Sequence, residues 1–208
     1  MVRKVRINKV IKIMVFSDLF LNAGWGLIAP ILAVFVVNNI VGGDVRVVGI
    51  AAGIYLIIKS FFQIPIAHFL DKNHGEKDDY IALVLGTLLT AASPIIFAFA
   101  TVPWHIYLAQ IIHAFGMAMA IPSWYAIFDR HIPRTRKAVC WGLDSSVMGL
   151  GAGLAGIAGG LLVEIIGFRV LFFSVSALNI IAVLLLLFIA NSILPKVPQN
   201  GVFPFTKS

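Results

Sequence analysis

Charge is scarce in this chain. Asp, Glu, Lys and Arg make up only 12% of its 208 residues, about half the share usual in a soluble domain. With a mean hydropathy of +0.99, that excludes an aqueous fold, which could not hide so much apolar surface. Cysteine is scarcer still. The single Cys140 excludes an intrachain disulfide and a thiolate metal cluster. Neither HExxH nor GxSxG occurs, and five scattered histidines make no ligand set. No loop of the ATP-binding type is present, so direct ATP drive is unsupported. No metal, no cofactor and no enzyme chemistry are expected.

What the chain has instead is long apolar runs. A spanning helix needs about 20 mainly apolar residues. Six such runs lie near 12–37, 46–70, 80–100, 103–128, 138–163 and 168–194. They are too long for barrel strands of about 10 residues and show no in–out alternation. The first run, with Asp18 inside it, is too long and too polar for a signal-peptide core and reads as a retained helix. The expected fold is all-α and membrane-embedded, with six transmembrane helices over 12–194. A basic tail, 1–11, precedes them and a polar Pro/Gly-bearing tail, 195–208, follows.

The pI near 9.8 could point to nucleic acid, but the placement of charge argues for membrane orientation. With the N-terminus inside, Arg3, Lys4, Arg6, Lys9 and Lys12, the 2–3 loop (Lys72, Lys77), the 4–5 loop (Arg130, Arg134, Arg136, Lys137) and the tail (Lys196, Lys207) all fall on one side. Only Arg46 and Arg169 fall on the other, and Lys59 sits within a helix. Basic residues near helix ends set orientation, so both termini are expected in the cytoplasm of a cell-membrane protein. The bilayer is the expected partner, and nucleic acid is not.

Pro30, Pro65, Pro94 and Pro122 lie inside apolar runs, where they are expected to kink or loosen helices; Pro103 opens the fourth. The second run ends FLDKNHG and the fifth LVEIIGFR, each an acid, then a glycine, then a basic residue. One copy falls inside and the other outside, as a 3+3 inverted repeat requires.

Polar residues at membrane depth are functional candidates by default. At about 1.5 Å per residue, Asp18, Asp144 and Lys59 all lie between the cytoplasmic interface and the midplane. Helical spacing gives them faces. Asp18, Asn22 and Trp25 share one stripe, Tyr55, Lys59 and Gln63 a second, and His113, Met117, Ala120 and Trp124 a third. Gly149 and Gly153, then Gly156 and Gly160, give two small-xxx-small steps for close backbone approach.

Three stretches resemble the major facilitator superfamily of transporters. PIAHFLDKNHGEK is similar to its 2–3 loop, with Asp71, Lys72, Gly75 and Lys77 matching after one inserted residue. Ala67 stands at the leading glycine and Glu76 at a commonly basic position. AFGMAMAIPSWYAIFDRHIPRTRKAVCWG is similar to the fourth helix and 4–5 loop, with Gly116, Pro122, Asp129, Pro133, Arg136 and Gly142 in register. GLGAGLAGIAGGLLVEIIGFRVLFF is similar to the Gly-rich fifth helix and the opening of the sixth. Two features differ. AGIAGG replaces the Gly-Pro frequent in antiporters, and Ile112 and His113 stand where proton-coupled members carry a buried Arg.

The resemblance is to the N-terminal six-helix half alone, and it implies roles. Asp71, Lys72, Gly75, Lys77, Asp129 and Arg136 would form the charge network of a cytoplasmic gate. Asp18, Asn22, Trp25, His113 and Trp124 would line a solute pathway, with Lys59 paired to Asp18 or Asp144. The expectation is a half-size secondary transporter of a small solute, working by alternating access. A second six-helix half would complete it, by homodimerisation or from a partner subunit. The alternative is a non-transporting membrane protein: a truncated half-transporter, or an assembly or sensor subunit.

Overall fold

The computed structural model describes residues 8–72 and 76–193; residues 1–7 of the expected N-terminal tail, Gly75 and the tail 195–208 lie outside the described residues, while residues 9–11 of the expected tail belong to the first helix. All regular structure there is helical. Helix α1 (Lys9–Ile28) starts where the Asn8 side chain accepts from the Val10 amide at 3.2 Å, covering a donor that the first helical turn leaves unpaired. A turn at 29–31, around Pro30, breaks the first apolar run, and α2 (Leu32–Asn39) follows. Asp44 accepts from the Val47 amide at 2.9 Å and starts α3 (Val45–Lys72). Then come α4 (Glu76–Ala98) and α5 (Pro103–His131), the latter with Pro103 in its first turn. Helices α3, α4 and α5 run on through Pro65, Pro94 and Pro122, so of the four internal prolines only Pro30 interrupts a helix.

Helix α6 (Lys137–Leu187) is 51 residues long. Straight, it would reach about 75 Å, more than twice the hydrocarbon core of a bilayer. It is not straight. Gly167 sits at φ 74°, ψ 165°, a conformation that glycine alone adopts readily, and the chain reverses there. The first limb runs alongside α1 in the same direction, with Leu19 against Gly151 and Leu27 against Gly159. The second runs against it, with Ser17 Oγ donating to the Ala182 carbonyl at 3.0 Å and Gly24 packed on Val175. Among the described residues five helices are long and apolar enough to cross a membrane, and the reversal at Gly167 makes six spans of them. A short helix, α7 (Ala190–Ile193), closes the described chain.

Two apolar clusters mark the ends of the bundle. The near end, where α1 begins, packs Ile11, Met14, Ile127, Phe128, Leu186 and Ile189. The far end packs Ile28, Phe35, Phe97, Ile106, Phe172 and Val175. Between them, hydroxyls bond across spans: Ser93 to the Ala109 carbonyl and Ser176 to the Ala91 carbonyl, both at 2.8 Å. Helices α4 and α5 touch backbone to backbone, so that a methyl on Gly116 would come within 2.7 Å of the Gly86 carbonyl oxygen. Such small-residue approaches hold helices together where lipid tails remove the hydrophobic drive.

The contacts follow the expected repeat. Span one meets spans four, five and six; span four meets spans one, two and three; and span three meets span six (Trp25 on His113, Gly26 on Ala152, Ser17 to Ala182, Tyr55 on His113, Ser93 to Ala109, Ser176 to Ala91). Exchanging spans 1, 2, 3 with 4, 5, 6 leaves this set unchanged, as a 3+3 inverted repeat requires.

Candidate functional site

A cavity of ≈ 540 Å³ opens among α1, α4, α5 and α6, toward the near end. Its polar side chains are Ser17, Asp18 and Asn22 from α1, Thr87 from α4, and Asp144 and Ser145 from α6. The i, i+4 spacing of α1 closes a local bond there. Asn22 Nδ2 donates to the Asp18 carboxylate at 3.0 Å and to the Asp18 carbonyl at 2.9 Å, which fixes both side chains. Across the space Asp144 is only 4% exposed, and its Oδ1 has no hydrogen-bond partner among the described residues. Aromatic rings also line the cavity. Trp124 and Tyr125 from α5 meet Trp141 from α6 with ring centroids 5.9 and 5.7 Å from the latter.

Of the residues expected to line a pathway, Asp18, Asn22, Trp124 and Asp144 do line this cavity. Trp25 and His113 lie one helical turn beyond it, toward the far end. There Trp25 (α1), His113 (α5) and Tyr55 (α3) stack face to face, with centroids 3.6 Å and 4.5 Å apart. Lys59 does not pair with Asp18 or Asp144. Its ammonium sits 5.3 Å from the centre of the Tyr55 ring, a cation–π distance. Helix α3 places it at the end of the aromatic stack, outside the cavity lining.

The charges at the near end sort differently from expectation. Asp129 does take a partner, Lys137, whose ammonium donates to it at 2.7 Å. Asp71, Lys72 and Lys77 are exposed and Arg136 half-buried, and none of the four ion pairs among the described residues includes them. The α4–α5 contact is instead made by Asp79, 2% exposed and bonded to Arg130, and by Glu76 beside His131 at 3.7 Å. Tyr80, next to Asp79, donates to the Leu186 carbonyl at 3.3 Å and ties the second limb of α6 to the same junction.

The glycine steps meet no close neighbour within this chain. Gly149, Gly153 and Gly160 face open space, and Gly156 comes no closer than 3.7 Å to α1 backbone. The tight approaches to α1 use Gly159 and Ala152, the latter against Gly26. The missed residues had a signal. Trp141 precedes Asp144 by three positions and Gly159 follows Ala152 by seven, each on one helical face.

Six apolar spans, symmetric under exchange of their halves and with two carboxyl side chains on an open cavity between them, define a multi-pass membrane protein built on an inverted repeat. The chain belongs to the Major Facilitator Superfamily, whose model matches residues 14–206. It is also similar to an uncharacterized MFS-type transporter of Methanocaldococcus jannaschii, 25% identical over 162 residues, which is 78% of this chain and 40% of that protein. The chain thus spans less than half the length of the curated relative it matches.

Proposed function

We propose that this chain forms one half of a secondary active transporter whose solute path runs through the cavity between α1, α4, α5 and α6. The observation that carries this reading is the carboxylate pair Asp18 and Asp144 on one cavity within the membrane-spanning helices. Ionisable groups at that depth are expensive and persist where they have a task. The distribution of basic residues, thirteen of sixteen at the near end and its tails, puts that end in the cytoplasm. The cavity is then inward-facing, and the Trp25–His113–Tyr55 stack closes the far side. Alternating access requires that stack to part while the near-end charges Asp129, Lys137, Asp79 and Arg130 draw together with those of the 2–3 loop.

A second six-helix half completes the path. Helix α3 and the first limb of α6 present Ile57, Phe61, Ile64, Leu154, Ile157 and Ile165 on exposed faces, and Gly153 and Gly160 leave room for a close backbone beside them. A second copy of the chain related by an axis along the membrane normal would place like faces together, as would a partner subunit.

Cysteine accessibility tests the reading. In a background with Cys140→Ala, a Ser145→Cys side chain in the cavity should react with a membrane-impermeant maleimide in inside-out vesicles and not in right-side-out ones. Adding Tyr55→Ala should open the stack and give reaction from both sides. A cavity cysteine unreactive from either side, in protein that elutes as folded, would make the cavity a sealed void and contradict the proposal.

A further inference from the structure

The cavity's chemistry narrows the kind of solute it takes. Two carboxylates, Asp18 and Asp144, face one space and repel one another as like charges. None of the residues lining it is Lys, Arg or His. The nearest membrane-embedded cation, Lys59, is engaged with Tyr55. Asp144 is more than nine-tenths buried yet leaves Oδ1 without a partner among the described residues, and Trp124 leaves its Nε1 likewise. A buried carboxylate with no countercharge is disfavoured unless it takes up a proton or a cation joins it. The same cavity has an aromatic lining. Trp124, Tyr125 and Trp141 form a three-ring cluster whose centroids are 5.7 to 5.9 Å apart, and ring faces attract cations further when water is excluded.

Each alternative ligand fits less well. An anion would meet two carboxylates and no positive group. A neutral polar solute would draw nothing from the charge of either carboxylate. A bare metal ion would need more ligands than two carboxylates, and no group of three or more His, Cys, Asp or Glu gathers among the described residues. The volume, ≈ 540 Å³, is that of a pocket for a drug-sized molecule.

We infer that the cavity is a binding site for an organic cation, its charge held between Asp18 and Asp144 and its apolar body against Trp124, Tyr125 and Trp141. This rests on the reading of the cavity as a solute path but is tested without any transport. The probe is radiolabelled tetraphenylphosphonium, titrated at equilibrium onto the purified chain in nanodiscs. Binding should saturate, weaken at least tenfold in Asp144→Asn and in Trp141→Ala, and resist competition by tetraphenylborate, which has the same shape and opposite charge. Where Asp144→Asn fails to fold, Asp18→Asn or Ser145→Lys gives the same reading, the latter by placing a cation inside the cavity. Absence of saturable binding, binding indifferent to these substitutions, or equal competition by tetraphenylborate would overturn the inference. Flux of an uncharged or anionic solute with no tetraphenylphosphonium binding would overturn it too and leave the transport proposal standing.

Discussion

Asp79 shows how much one side chain decides at the near end. Its carboxylate is almost wholly removed from solvent and its partner, the Arg130 guanidinium, is 39% exposed. Removing the arginine strands a buried charge, whereas removing both partners leaves two neutral groups. Arg130→Met should therefore lower the thermal midpoint in detergent by several degrees. Asp79→Asn added to it should recover most of that loss. Cys140, 1% exposed and the sole cysteine, supplies the readout, since a thiol-reactive fluorophore reaches it only on unfolding. A double variant no more stable than Arg130→Met alone would show that the pair is not what holds α4 to α5. Sequence could not select Asp79 over its neighbours, because Glu76, Asp78 and Asp79 all occupy the first turn of one helix. Which of them turns inward depends on where α5 lies. The same limit explains Lys59. Its stripe with Tyr55 was legible, but its neighbour across the bundle was set by a stack of three rings from three helices.

Among elements, the contrast between glycines is the clearest. Spacing marked Gly149, Gly153, Gly156 and Gly160 as a face for close packing, and that face is open in the isolated bundle. Gly116 has only one such step in sequence, to Ala120, yet its added methyl would also meet Thr90 Oγ1 at 2.6 Å and the Thr90 amide at 2.9 Å. Gly116→Ala should push α4 from α5 and lower the thermal midpoint clearly. Gly153→Ala should leave it unchanged or slightly raised, as alanine favours helix by roughly 1 kcal/mol over glycine. Equal effects at both positions would contradict the packing described. The helices themselves were readable because apolar length is their cause. The split at Pro30 followed from its missing amide, and the reversal at Gly167 lies in the gap between the fifth and sixth apolar runs, beside the Gly-aromatic-Arg stretch. What one helix's period cannot supply is its rotation against the next, and that is what fixes the lining of a cavity.

At the scale of the whole molecule, the proposal is of a bundle that works with a counterpart. Its cavity has two carboxyl side chains and no Lys, Arg or His on the lining, and two of its spans show exposed apolar faces, one of them with open glycines. The family was legible from three ordered stretches, and the family model's match over residues 14–206 agrees. The path through the cavity is the central claim, and solute counterflow in proteoliposomes tests it most directly. Vesicles preloaded with a mixed pool of organic cations, sugars and carboxylates would be diluted into the same pool at trace isotopic label. We predict that at least one labelled solute accumulates transiently with the wild-type chain, and at least tenfold less with Asp144→Asn of equal thermal stability. Vesicles holding folded wild-type protein through which no solute in the pool moves, or an Asp144→Asn chain that moves it equally well, would contradict the account.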